Sequence, residues 1–216
     1  MKSNPERRPL ATRAQRWPHV LARALRSIHV EPDHVSAASV VVSVIAAAAW
    51  LAAARATGGL AIALWVLGAA AIQVRLLCNL LDGIVAVELG RGSALGPLWN
   101  EVPDRLSDVL VLVAAGYAIS APELGWLAAT MAVLTAYVRH VGATLTGAHD
   151  FGGPLAKPQR MFVMTVAGIA AAIEVGLATS RWALFVALIV VALGSALTAV
   201  ARLRRIARAL RLEASR

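Results

Sequence analysis

The stretch that decides the fold is GLAIALWVLGAAAIQVRLLCNLLDG, residues 59–83. About 20 residues of it pass before the first acid, and a helix rising 1.5 Å per residue crosses the roughly 30 Å core of a bilayer in that length. Counted from Gly59, the chain leaves the core near Asn79, and the helical pattern runs on to about Leu89. Asp82 therefore emerges at a membrane edge, with Glu88, Glu101, Asp104 and Asp108 soon after it. Carboxylates so placed stand where a lipid headgroup sits, in reach of both bilayer and water.

The rest of the chain repeats this character. Its 216 residues are 59% hydrophobic and 15% charged, against about 25% charged in a soluble domain, and the mean hydropathy is +0.69. Apolar spans are expected near 36–54, 59–80, 105–119, 124–146, 161–178 and 182–201. The fold class this predicts is an all-α integral membrane protein with six transmembrane helices. A formal net charge of +9 would elsewhere suggest nucleic acid. Here every Lys and Arg except Arg55 and Arg181 lies before the first span, after the last, or around the loops that follow spans two and four. The positive-inside rule then puts both termini and those loops in the cytoplasm, as in a bacterial-type inner membrane. The basicity reads as topology and attraction to anionic lipid, with no nucleic-acid partner. The first apolar run starts only at Ser36, which is not the pattern of a cleavable signal. The single Cys78 excludes an internal disulfide and reads as a small buried helix residue.

Three segments are expected: a cytoplasmic juxtamembrane helix in 1–35, a transmembrane catalytic domain in 36–201 and a basic cytoplasmic tail in 202–216. Trp17, Val20, Leu21, Ala24, Leu25 and Ile28 fall on one apolar stripe, the pattern of an amphipathic helix on the membrane surface or against the bundle. Pro18 suits its first turn. In VEPDHVS, Pro32 punctuates and Ser36 is the expected cap of span one.

Around the decisive stretch the polar residues are spaced for chemistry. Arg75, Asn79, Asp82 and Ala86 share one helix face, and Gly83 leaves the backbone beside Asp82 open to approach. After the hairpin GRGSALGP comes a second series, Gly96, Asn100, Asp104 and Asp108, each four apart. Two facing stripes of oxygen ligands suit a hard cation such as Mg²⁺ or Mn²⁺, which binds a few carboxylates together with substrate phosphates. Pro103 disfavours helix at Val102. Span three is therefore expected to start at Pro103 with Asn100 in the turn before it, and Pro97 to open a short preceding helix.

This stretch resembles the signature of the CDP-alcohol phosphatidyltransferases, D-x2-D-G-x2-A-R-x8-G-x3-D-x3-D. Its positions fall without a gap on Asn79, Asp82, Gly83, Ala86, Val87, Gly96, Asn100 and Asp104, with five of the eight residue types kept. The EPDHVS lead-in is similar to a Pro-Asn-x-x-Thr element. The resemblance implies a homodimeric six-helix enzyme in phospholipid biosynthesis with a cytoplasmic-face site. Such an enzyme passes the phosphatidyl group of a CDP-linked lipid, here CDP-diacylglycerol, to a small alcohol or polyol phosphate and releases CMP. It implies Mg²⁺ or Mn²⁺, one or two ions, on Asn79, Asp82, Asn100 and Asp104, and Asp104 as general base. Asp82, Gly83, Ala86 and Gly96 are then expected to line the nucleotide-lipid site. Two acids and the arginine of the pattern are replaced, by Asn79, Asn100 and Val87. Asparagine offers a carbonyl oxygen without charge, so one tightly held cation is expected, and a second only when substrate pyrophosphate supplies the missing charge.

For acceptor or phosphate binding the candidates are Arg75, Arg139, Lys157 and Arg160, each of which equally suits a flanking or snorkelling charge. His149 and Asp150 have no serine elbow beside them and form no hydrolase set. Glu174, a lone acid within span five, is a functional candidate or a partner for another helix. Two other readings compete with the transferase. One is a non-catalytic relative that binds nucleotide-lipid or a partner. The other is a small ion transporter, which would need polar groups near the bilayer middle of several spans, whereas here they gather at one face.

Overall fold

The structure is a computed structural model describing residues 17–21, 32–88, 95–178 and 182–215, without the side chains of Pro32, Ala86, Val87, Glu88 and Pro97. It is all-helical, and each expected span is the body of one helix. These are α1 (Pro32–Ala53), α2 (Gly58–Glu88), α3 (Gly96–Ala118), α4 (Pro122–Thr146), α5 (Lys157–Gly176) and α6 (Trp182–Ala214). Among the described residues four helices, α1, α2, α5 and α6, are long and apolar enough to cross a membrane. The other two carry charge within them: α3 holds Glu101, Asp104, Arg105 and Asp108, and α4 holds Arg139 beside His140.

The helices pack in a closed ring. α1 lies between α2 and α3, α4 joins α3 to α6, and α5 closes the ring between α6 and α2. Small residues allow the close approaches. Trp50 is fully buried, its indole donates to the Trp65 carbonyl at 3.2 Å, and the two rings lie 5.9 Å apart. A Cβ on Gly168 would stand 2.8 Å from the Trp50 ring, so only glycine lets α5 pass there. Likewise a Cβ on Gly116 would meet the Gly125 backbone at 2.7 Å, which is how α3 and α4 touch next to their turn. Alanine, valine, leucine and methionine fill the remaining interior around Trp50, Trp65, Leu112, Met161, Met164 and Leu188.

Two sequence expectations are corrected, and two others gain detail. Pro32 opens α1, as a first-turn proline can, so Ser36 lies inside the helix, buried, and is not its cap. α3 is continuous from Gly96 through Pro103, with Pro97 at its start and Asn100 helical. The proline there removes one interior hydrogen bond, to the Trp99 carbonyl, and the packing of the flanking turns carries the helix across. Past 201, where the basic tail is expected, the last helix continues through Arg202 and Ile206, both buried, to Ala214. Glu174 accepts a 2.9 Å hydrogen bond from the Ala183 backbone N–H, at the start of α6. Its carboxylate meets one of the donors a helix N-terminus leaves unbonded. Residues 17–21 are helical with Trp17, Val20 and Leu21 exposed, while Ala24, Leu25 and Ile28 lie outside the described residues.

Candidate active site

At the end of the bundle where the acids were expected, α2 and α3 meet through polar side chains across the ring. The deepest group is Asp108, fully buried on α3. Arg75 from α2 donates to its Oδ1 at 2.6 Å, and Arg160 from α5 to its Oδ2 at 3.0 Å. Both guanidiniums are at most 1% exposed. Arg75 also donates to the Asp104 carbonyl at 3.0 Å and touches Met161 Sδ, and Arg160 reaches Thr135 Oγ1 and the Leu155 carbonyl. The two arginines expected at a phosphate are thus committed to Asp108, where one carboxylate ties three helices together.

One turn nearer the surface stands Asp104. Its Oδ1 accepts from Asn79 Nδ2 at 2.8 Å, its Oδ2 is paired with Lys157, and Arg75 and Arg105 stand 3.8 and 3.6 Å from its oxygens. Asp82, 5% exposed on α2, accepts from Ser36 Oγ on α1 at 2.7 Å through Oδ2, and its buried Oδ1 has no hydrogen-bond partner among the described residues. Asp104 and Lys157 are close enough to act on it electrostatically. Gly83 and Gly96 are half-buried, and Asn100 is exposed one turn before Asp104. The Ala86 side chain and all of 89–94, Leu89 and Arg91 included, lie outside the described residues. The structure therefore brings Asn79, Asp104 and Lys157 into contact beside Asp82, and leaves Asn100 facing outward.

A second layer flanks the mouth. Glu101 pairs with Arg139 at 2.6 Å, His140 at 3.0 Å and Arg105 at 3.5 Å, and Arg139 lies over the Phe151 ring at 5.4 Å. Burial by itself would raise the Glu101 carboxyl, but Arg139, Arg105 and His140 outweigh it and hold it down at about 2. The α4–α5 loop is fixed to α6: Arg202 donates to the Gly152 and Thr135 carbonyls, Leu155 N–H to Thr198 Oγ1, and Arg205 pairs with Asp150. His149 packs against His140 and Phe151. Ser36, Glu101, Asp108 and Arg202 are the polar groups that sequence reasoning did not assign to this site. Ser36 carried a signal through the lead-in element it closes, Asp108 through its place in the four-apart series and Glu101 through its position among the clustered acids, whereas Arg202 carried none.

Among the described residues no group of three or more His, Cys, Asp and Glu is placed to hold a metal. The donors nonetheless fit one divalent cation: Asp82 offers a buried free oxygen, and Asp104 a carboxylate beside it. Two divalent ions would call for about four negative charges, and Asn79 presents an N–H, not a carbonyl, to Asp104.

No family model matches the chain. By sequence it is 27% identical over 146 residues to inner membrane protein YnbA of Escherichia coli, covering 67% of this chain and 70% of that protein. It is also 27% identical over 149 residues to the phosphatidylinositol phosphate synthase of Mycolicibacterium smegmatis, covering 64% of each. The chain thus matches about two thirds of the length of these relatives. Among solved structures, Mycobacterium tuberculosis phosphatidylinositol phosphate synthase with CDP-DAG bound superposes with a TM-score of 0.71 at 20% identity, over 88% of this chain and 92% of that one. The same enzyme in complex with manganese and citrate gives 0.72 at 21% identity, over 88% of each.

Proposed function

We propose that this chain, a homologue of phosphatidylinositol phosphate synthase with that enzyme's fold, is a CDP-alcohol phosphatidyltransferase. It transfers the phosphatidyl group of CDP-diacylglycerol to an alcohol and releases CMP, in phospholipid biosynthesis. The observation that carries this reading is the gap-free motif register, with Asp82 and Asp104 at one end of α2 and α3 and joined to a common polar cluster. Homology to an enzyme of this class supports the resemblance read from that register.

In this reading Asp104 takes the proton of the acceptor hydroxyl as it attacks phosphorus. Both Asp104 oxygens have partners, so the hydroxyl must displace one. Lys157 is the exchangeable one, since its ammonium is a point charge on a flexible stem. Asn79 then keeps the carboxylate oriented, while Arg75 holds that turn of α3 through the Asp104 backbone carbonyl. Asp82, steadied by Ser36, and Asp104 would hold a divalent Mg²⁺ or Mn²⁺, which supplies positive charge to the pyrophosphate and the departing CMP. Lys157 and Arg139 would serve an acceptor phosphate, while Arg75 and Arg160 act indirectly by fixing Asp108. Gly83, Ala86 and Gly96 remain the proposed nucleotide-lipid surface, and Asn100 an outer metal ligand. We place the six helices across an inner membrane with the site and both termini in the cytoplasm, residues 1–35 as the juxtamembrane segment, and two chains as a homodimer.

The test is CMP release from CDP-diacylglycerol by the purified protein with Mg²⁺ or Mn²⁺, a pool of small alcohols and polyol phosphates, and Asp104→Ala as control. Release that disappears in the control supports the enzyme. Binding of CDP-diacylglycerol without release in any pool selects the non-catalytic relative.

A further inference from the structure

Building on the transferase reading, we infer that the Lys157 ammonium, paired with Asp104, stands in for one of two divalent cations, so that the site holds a single divalent ion, beside Asp82. The two replaced acids and the ion pair with Lys157 are two halves of one exchange. Asn79 and Asn100 remove two negative charges from the motif. Lys157 brings one positive charge onto Asp104 Oδ2, from the first turn of α5, with its side chain only 18% exposed. Arg75 adds a second near Oδ1, at 3.8 Å. Asp104 is therefore faced by cationic side chains at both oxygens before any metal enters.

The orientation of Asn79 agrees. It donates its amide N–H to Asp104 Oδ1 at 2.8 Å, so the carbonyl that would ligate a metal points elsewhere. A lysine has no lone pair to offer a metal while protonated, and its charge repels a divalent ion placed on the same carboxylate oxygen. What remains is the inner position. Asp82 Oδ1 is buried with no hydrogen-bond partner among the described residues, while Oδ2 is already satisfied by Ser36. A buried carboxylate oxygen left without a donor costs free energy unless an ion or water meets it. One cation beside Asp82, balanced by two carboxylates, fits; a second beside Lys157 does not.

The experiment titrates Mn²⁺ alone into the full chain in nanodiscs, reading stoichiometry by calorimetry and free Mn²⁺ by electron paramagnetic resonance, without nucleotide. The wild-type chain should bind one Mn²⁺. Lys157→Met should bind it at least about tenfold tighter, because a positive charge a few ångströms from a divalent ion is gone. Lys157→Arg, which keeps the charge, should stay near wild type, and Asn79→Asp combined with Lys157→Met should bind two. Circular dichroism on each variant guards against misfolding, and the wild-type stoichiometry tests the inference without any variant. Two ions on the wild-type chain, or Lys157→Met binding no tighter than wild type, overturns the inference and leaves the transferase reading standing if CMP is released. No ion on the wild-type chain overturns it as well, and with no CMP release the transferase reading falls too.

Discussion

Replacing Asp108 by asparagine tests the core of the site most directly. The carboxylate is fully buried and lies 2.6 Å from Arg75 and 3.0 Å from Arg160, which are themselves buried. Asparagine keeps the shape but removes the charge, and its amide turns an N–H toward one of the two arginines. Breaking a buried ion pair from one side costs about 3–5 kcal/mol, because the remaining charge is left without compensation. Here two guanidiniums lose their partner, so about 4 kcal/mol is expected, a large share of the roughly 5–15 kcal/mol that holds a domain together. The assay is unfolding of the full chain in mixed micelles by added sodium dodecyl sulfate, followed by circular dichroism. Arg160→Gln and the double variant complete a cycle, in which coupling of at least about 1 kcal/mol is expected between contacting groups. A loss under about 1 kcal/mol, or strict additivity, refutes the argument. So does a protein of unchanged stability that has lost Mn²⁺ binding, since Asp108 would then be a metal ligand and not a tie between helices.

Other expectations can be checked with the same preparations. Ser36→Ala removes the hydroxyl that donates to Asp82 Oδ2; it should weaken Mn²⁺ binding a few-fold and cost about 1 kcal/mol of stability, measured by titration and unfolding. Gly168→Leu must displace the buried Trp50 ring, and overpacking of this kind costs about 1–3 kcal/mol, read as a lowered unfolding midpoint. Glu174→Ala leaves the Ala183 N–H without its acceptor, and should cost about 0.5–2 kcal/mol, the size of a lost helix cap. Glu101 is held at about 2 against an ordinary 4.5, so folding favours its ionised form. Its contribution is full above about pH 4.5 and is lost as pH falls toward 2; the stability gap between wild type and Glu101→Gln should shrink over that window and not above it.

How much the sequence disclosed depended on the kind of constraint. Spans were legible because membrane-length apolar runs have few alternatives, and each of the six became a helix. The motif register was legible because helical spacing converts directly into a shared face, which is how Asn79 came to lie against Asp104. Contacts between helices remote in sequence were not. Nothing in RLLCNLLDG says that Arg75 reaches Asp108, or in AKPQRM that Lys157 and Arg160, three residues apart, diverge onto two different carboxylates. In sequence Arg75, Arg139, Lys157 and Arg160 suit a phosphate or a flanking role alike; burial and a closer partner decide which are open to an anion. Pro103 misled in a different way: local preference argued for a break, and packing of α3 within the ring overrode it.

The charges at the site also bear on when a metal would enter. Glu101, Asp104 and Asp108 are paired with Arg75, Arg105, Arg139, Lys157 and Arg160; with Asp82 added, four acids stand among five bases, so the described ionic groups there carry no surplus of negative charge to draw a divalent ion in. A site built that way attracts the anionic pyrophosphate of a CDP-linked lipid more readily than a free cation. Metal and nucleotide should then bind cooperatively, each lowering the electrostatic cost of the other, and linkage requires the effect to be reciprocal. CDP-diacylglycerol should tighten Mn²⁺ binding by at least about tenfold, and Mn²⁺ should tighten CDP-diacylglycerol by the same factor. Lys157→Met removes a positive charge whose field attracts any anion at the site and opposes the metal, so the coupling should weaken in that variant. Equal Mn²⁺ affinity with and without the lipid would mean that the arginines and Lys157 are too fully consumed by their own partners to act on either ligand.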